Sequence, residues 1–114
     1  MSVRQEYKEL VGEISVRTNG GINMTLRDYL MLKIIKTVSS FNPHAMKVSE
    51  IEKRIRKDEI ANIKYRTMMD KEPWRSSSLF AMISSVIQYL SKNGFLVRVR
   101  HGYYKVNHQL IDEV

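Results

Sequence analysis

The sequence predicts an α+β fold, mostly helical, closed by a C-terminal β-hairpin. Three observations predict it. Apolar residues recur at helical spacing through several long stretches. The clearest strand pattern, GFLVRVRHGYYKV at 94–106, comes near the end of the chain, with His101-Gly102 between its two runs. A chain of 114 residues, 43% hydrophobic and 27% charged, suits one core and is too small for two.

Charge narrows the partners. Nineteen Lys and Arg against twelve Asp and Glu leave a formal charge of +7, which favours polyanions: nucleic acid first, an acidic membrane surface or protein second. With no cysteine, a disulfide framework and a thiolate zinc site are excluded, and a reducing cytoplasm is the expected home, the host's if the chain is viral. MSVRQEYKEL lacks the apolar core of a signal peptide. The longest apolar stretch, YLMLKIIKTV, is broken by lysines and falls short of the roughly 18 residues a span requires, so no membrane partner is expected.

Each element follows in order. Val3, Tyr7, Leu10, Val11 and Ile14 fall at helical spacing, and a strand through Ile14 and Val16 is the competing assignment. Thr18-Asn19-Gly20-Gly21 then breaks the chain, or turns a tight hairpin between 14–17 and 22–25. Thr25 with Asp28 forms a capping pair ahead of the stripe Leu26, Tyr29, Leu30, Ile34, Val38 and Phe41, which Asn42-Pro43 ends. Ser49 and Glu52 form a second capping box, opening a short helix with Ile51 and Ile55 inward and Glu52, Lys53, Arg54, Arg56 and Lys57 in water. Ile60, Ile63 and Met68-Met69 allow a further helix before Pro73. Serines 76–78 offer an N-cap to Leu79, Ile83, Val86, Ile87 and Leu90, a well-formed buried stripe, and Asn93-Gly94 gives a left-handed stop.

The order of these elements carries a resemblance. Lys47-Val48-Ser49-Glu50-Ile51-Glu52-Lys53-Arg54-Ile55 resembles the short strand and second helix of a winged helix-turn-helix domain. Leu90-Ser91-Lys92-Asn93-Gly94-Phe95-Leu96-Val97-Arg98-Val99-Arg100 resembles the end of that family's recognition helix passing into its wing. With the helix at 26–41 the resemblance covers 25–107. It departs at 58–75, where the family has a short turn. It implies a winged helix-turn-helix domain at 25–107, followed by a short tail at 108–114; the N-terminal helix or hairpin at 1–24, with no assigned partner in that core, is expected to serve dimerisation, since a lone module of this size makes few phosphate contacts.

The candidate interface follows from the ribbon and the helix before it. Phe95, Val97 and Val99 are expected on the core face of the first strand, with Leu96, Arg98 and Arg100 on the other, the two arginines about 7 Å apart and able to clamp a backbone. Gly102 supplies the turn, with His101 at its tip; Tyr103 and Tyr104 point to opposite faces, and Lys105 adds a further cation. Opposite the buried stripe of the helix lie Ser77, Ser78, Ala81, Ser84, Ser85, Gln88 and Lys92, which permit close approach to a groove. Only Gln88 suits a bidentate contact to adenine, so specificity would draw on Arg75, Arg66 or DNA shape. The plainer alternatives are a solvated edge hairpin whose cations prevent aggregation and a serine face that packs against another subunit.

Nothing in the chain predicts catalysis, a cofactor or a small-molecule site. His44, His101 and His108 are scattered, and neither a Gly-Lys-Ser/Thr nor a Gly-x-Gly-x-x-Gly element occurs. The expectation is a double-stranded DNA-binding regulator, a homodimer, of a composition that suits a thermophilic archaeon or its viruses. Two rivals remain: a winged helix that holds a protein partner, and a binder of RNA or single strands through Tyr103, Tyr104 and the arginines.

Overall fold

The computed structural model describes residues 2–19, 23–75 and 77–114. Five α-helices, a three-stranded antiparallel sheet and a terminal 3-10 turn make a mostly helical α+β unit: α1 Val3–Arg17, α2 Leu26–Ser39, β1 Met46–Lys47, α3 Val48–Arg56, α4 Glu59–Lys71, α5 Leu79–Lys92, β2 Leu96–Arg100, β3 Tyr103–Val106 and the turn His108–Leu110. The strands lie in the order β1-β3-β2.

Capping side chains set the helix starts. Ser2, Thr25, Asp58 and Ser78 each accept from a backbone N–H three residues on, satisfying a donor that the first turn leaves open. The second capping box does not form. α3 begins at Val48, two residues early, and its cap position is Lys47, whose side chain makes no capping bond. Lys47 is paired with Tyr103 in the sheet, and the Val48 N–H donates to the Gly102 carbonyl at 2.7 Å. The hairpin turn thus takes the place that Ser49 was expected to fill.

α2 is the central element. Leu30, Ile34, Ile35 and Val38 are fully enclosed, with Ile51 and Ile55 of α3, Ala61 of α4, and Ile83, Val86, Ile87 and Leu90 of α5 packed about them. Asn93-Gly94 ends α5 as its sequence implies, Gly94 at φ 81°. A Cβ there would also come within 3.3 Å of a Val3 methyl, so α1 lies against this corner.

α1 is helical through Arg17, which overturns the strand assignment at 14–17; of the other half of that hairpin, 22–25, Ile22 lies outside the described residues, as does Ser76, and 23–25 form no strand, Thr25 capping α2 instead. Helix spacing prevails because Tyr7 and Ile14, two turns apart, both reach the core. The Tyr7 ring meets Phe95 edge-on at 6.0 Å. Burial pushes the Tyr7 hydroxyl pKa up, with a smaller contribution from Glu113. Arg4 and Lys8 pair with Glu113, Arg4 also approaches Asp112, and Leu110 is wholly buried. Both ends of the chain therefore share the core of the middle.

Between α2 and α4 the Asp58 carboxylate accepts from the Tyr29 hydroxyl at 2.6 Å and from the Ala61 N–H at 3.0 Å, with Lys33 at 3.6 Å. Burial alone would raise the Asp58 pKa, but the Tyr29 and Ala61 bonds and the Lys33 charge together hold it below its ordinary value. The Tyr29 hydroxyl is pushed well above its ordinary value by burial and then by Asp58.

Candidate nucleic-acid interface

At about 100° per residue, the buried stripe of α5 leaves Ala81, Ser85, Gln88 and Lys92 along one outward line, and all four are exposed. Three of these were expected there as contact residues. Ser78 is spent as the helix cap, donor geometry fixed by Ala81. Ser77 is exposed, and its carbonyl accepts from the Tyr65 hydroxyl at 3.1 Å, which ties the approach to α5 to α4. Ser84 does not face outward. Its hydroxyl donates to Glu52 Oε1 at 3.2 Å, part-buried between α5 and α3, because position 84 sits one helical step toward α3 from the outward line.

Two arginines from other helices flank that line, and sequence reasoning missed both. The Arg27 guanidinium of α2 lies 5.1 Å over the Tyr89 ring, and that of Arg56 in α3 lies 5.8 Å from the Phe80 centroid. Phe80 and Tyr89 stand on opposite margins of the outward face, nine residues apart, or roughly 13 Å along the axis. The available signal was these two aromatics, exposed at a helix margin where the buried stripe does not account for them. Arg27, Ser77, Ala81 and Ser85 also border a shallow hollow of about 120 Å³.

The hairpin departs from expectation at its faces. Leu96, not Val97, is the buried residue of β2, and Val97 and Val99 are 44% and 54% exposed. The register explains this. Leu96 pairs with Val106 and Arg98 with Tyr104, so these share the inner face with Met46, Tyr104's partner in β1. Val97 pairs with Lys105, which puts both on the outer face.

A bulge at Val99 then alters the phase. Arg98 pairs with Tyr104 but Arg100 pairs with Tyr103, two positions of β2 against one step of β3. Tyr103 and Tyr104 do point to opposite faces, and their β2 partners follow them. Arg98 and Arg100 therefore stand on opposite faces, and the expected one-face clamp is replaced by two separate cations. Arg100 lies over the Tyr103 ring at 4.0 Å. The outer face thus gathers Arg100, Lys105 and Lys47 about Tyr103, Lys47 being paired with Tyr103 from the other side. Lys47 was not among the expected contacts, because its place in the sheet depends on a pairing more than fifty residues away.

His101 is exposed at the tip, where Gly102 takes φ 78°. Arg75 is exposed but held to the end of α4 by Glu72 at 2.6 Å, and Arg66 is exposed on the outer side of α4. His44 and His108 are exposed. Among the described residues no group of three metal-ligating side chains gathers, and no helix is long and apolar enough to cross a membrane.

Comparison with protein-family models, with curated proteins and with solved structures gives no match to this chain.

Proposed function

We propose that the chain binds double-stranded DNA as a winged helix-turn-helix regulator, with α5 entering the major groove and the β2–β3 hairpin serving as its wing. One observation carries the reading: the small outward line Ala81, Ser85, Gln88 and Lys92 of α5 lies between two arginines, each held over an aromatic ring, and the same helix runs directly into a basic hairpin. A helix fits the roughly 12 Å width of the major groove, and small residues on its leading face bring the backbone close to base edges. Arginines on both margins are where phosphates on the two sides of a groove would meet them. The element order supports the reading too: α2, β1, α3, α5, β2 and β3 follow the winged-helix sequence, with β1 paired to β3, and α4 is an added helix between the second and third.

The experiment is a salt-titrated binding assay with random duplex, single strand and RNA of one length. The reading requires duplex to bind best, with affinity falling steeply as salt rises. Preference for single strand or RNA would assign the interface to the stacked Arg100 and Tyr103 instead.

A homodimer remains part of the proposal, but its support has moved from the N-terminal helix to α4. Tyr7 and Ile14 of α1 are occupied by the chain's own core, whereas Ile60 and Ile63 on the outer side of α4 are 51% and 52% exposed. Residues 59–72 carry Glu59, Asp70 and Glu72 against Lys64, Arg66 and Lys71, three of each sign, in a chain of net charge +7. Two like-charged copies meet there with least repulsion. Light scattering should give twice the chain mass for the wild type and the chain mass for Ile63→Lys; a monomeric wild type removes the dimer.

A further inference from the structure

A second basic feature lies away from α5. Lys33, Lys36 and Thr37 of α2 with Ser40 just after it, and Arg54 and Ile55 of α3 with Lys57 and Asp58 just after it, line an open cleft of about 440 Å³. Arg27 and Lys36 are nine residues apart on α2, two and a half turns, so the cleft and the α5 margin occupy opposite sides of that helix. α3 is divided in the same way: Glu52 and Arg56 reach α5, while Glu50 and Arg54 turn the other way.

The cleft has excess positive charge that the fold leaves uncompensated. Its one carboxylate, Asp58, is already engaged: Oδ2 accepts from Tyr29 and Ala61, and Oδ1 faces Lys33. Lys36 and Lys57 have no ion pair among the described residues. The Arg54 guanidinium is held in place, stacked 4.6 Å over the Phe41 ring with its Nε on Glu50 at 3.2 Å, which leaves its terminal nitrogens to donate. Thr37 lines the same cleft.

We propose that this cleft binds a small phosphorylated ligand of nucleotide size, its clustered phosphates held by Lys36, Arg54 and Lys57. The volume falls in the range of about 300–1,000 Å³ typical of small-molecule sites. Four cations lining one open cleft against a single, already engaged carboxylate favour several phosphates on one compact molecule over a single monoanion. The site does not depend on whether α5 binds DNA.

The test is a titration followed by amide NMR on the full chain at near-physiological salt, with ATP, pyrophosphate and inorganic phosphate as probes. ATP and pyrophosphate should shift the amides of Lys36, Thr37, Arg54 and Lys57 saturably, and inorganic phosphate should do so more weakly. The double substitution Lys36→Gln/Lys57→Gln should weaken ATP roughly tenfold or more, as expected for lost charge-assisted bonds, and Lys36→Arg/Lys57→Arg should retain it. Shifts spread over all exposed lysines without saturation would overturn the proposal, as would ATP binding that survives the glutamine pair. A duplex added alone distinguishes the sources of phosphate. If it shifts the cleft amides and ATP does not, the cleft is a nucleic-acid contact and the small-ligand site is disproved. If the duplex shifts Ser85 and Gln88 or nothing, the ATP result stands on its own.

Discussion

The guanidinium of Arg27 lies 5.1 Å over the ring of Tyr89, which fixes a cation from α2 beside the outward face of α5. If that cation meets a phosphate, Arg27→Ala weakens every duplex alike and lowers the slope of log affinity against log salt by about 0.9, the value for one contact. Folding stability should change by no more than about 1 kcal/mol, the scale of an exposed cation–π pair. A salt titration of variant and wild type checks both, and an unchanged slope removes Arg27 from the interface.

The bulge at Val99 separates the two wing arginines. Side chains on opposite faces cannot share a phosphate, so the binding penalties of Arg98→Ala and Arg100→Ala should add in the double variant to within about 0.5 kcal/mol. Coupling well beyond that would restore the clamp and contradict the register.

Ser84 and Glu52 join α5 to α3. Ser84→Ala should cost about 0.5–1.5 kcal/mol for the lost bond. Ser84→Glu places a second carboxylate against Glu52 in a part-buried contact and should cost more, about 1–3 kcal/mol. Denaturant unfolding reads both. A glutamate variant as stable as wild type would show that position 84 opens to solvent.

Asp58 sets an acid limit on stability. Its pKa is lowered in the fold, so the stabilisation it supplies is complete above the ordinary carboxylate value near 4 and is lost as pH falls through the lower, folded value. The Tyr29 pKa is raised, so its contribution is complete below about 10 and is lost only as the pH rises beyond that. Asp58→Ala removes a cap and leaves the Tyr29 hydroxyl without its acceptor, a loss of about 2–4 kcal/mol at neutral pH. In urea titrations from pH 7 down to pH 2 the gap between variant and wild type should narrow. A constant gap would mean the carboxylate charge is not what stabilises the contact.

What the sequence made legible was local. The stripe from Leu79 to Leu90, the Thr25 cap and the Asn93-Gly94 stop follow from periodicity and from the few side chains that close a helix end, and each stands as read. The exposure of Ser85, Gln88 and Lys92 follows from the same stripe. What stayed hidden depended on partners far along the chain. The face of β2 is set by Val106 and by the bulge against Tyr103 and Tyr104. The start of α3 is set by the Gly102 carbonyl. Arg27, Arg56 and Lys47 acquire their places only when α2, α3 and β1 pack against partners 62, 24 and 56 residues later, and the cleft at Lys36 and Arg54 exists only once α2 and α3 meet.

That the outward line of α5 enters the major groove of a duplex is tested most directly by Ser85→Glu/Gln88→Glu. Both positions are exposed, so the unfolding midpoint should stay close to wild type, surface changes being worth about 0.5 kcal/mol or less each. Two carboxylates in a groove lined by phosphates should lower duplex affinity roughly a hundredfold or more at moderate salt. The decisive measurement is the duplex dissociation constant of this variant against wild type. A collapse with the fold intact is the predicted result, and an unchanged constant with the fold intact would contradict the account.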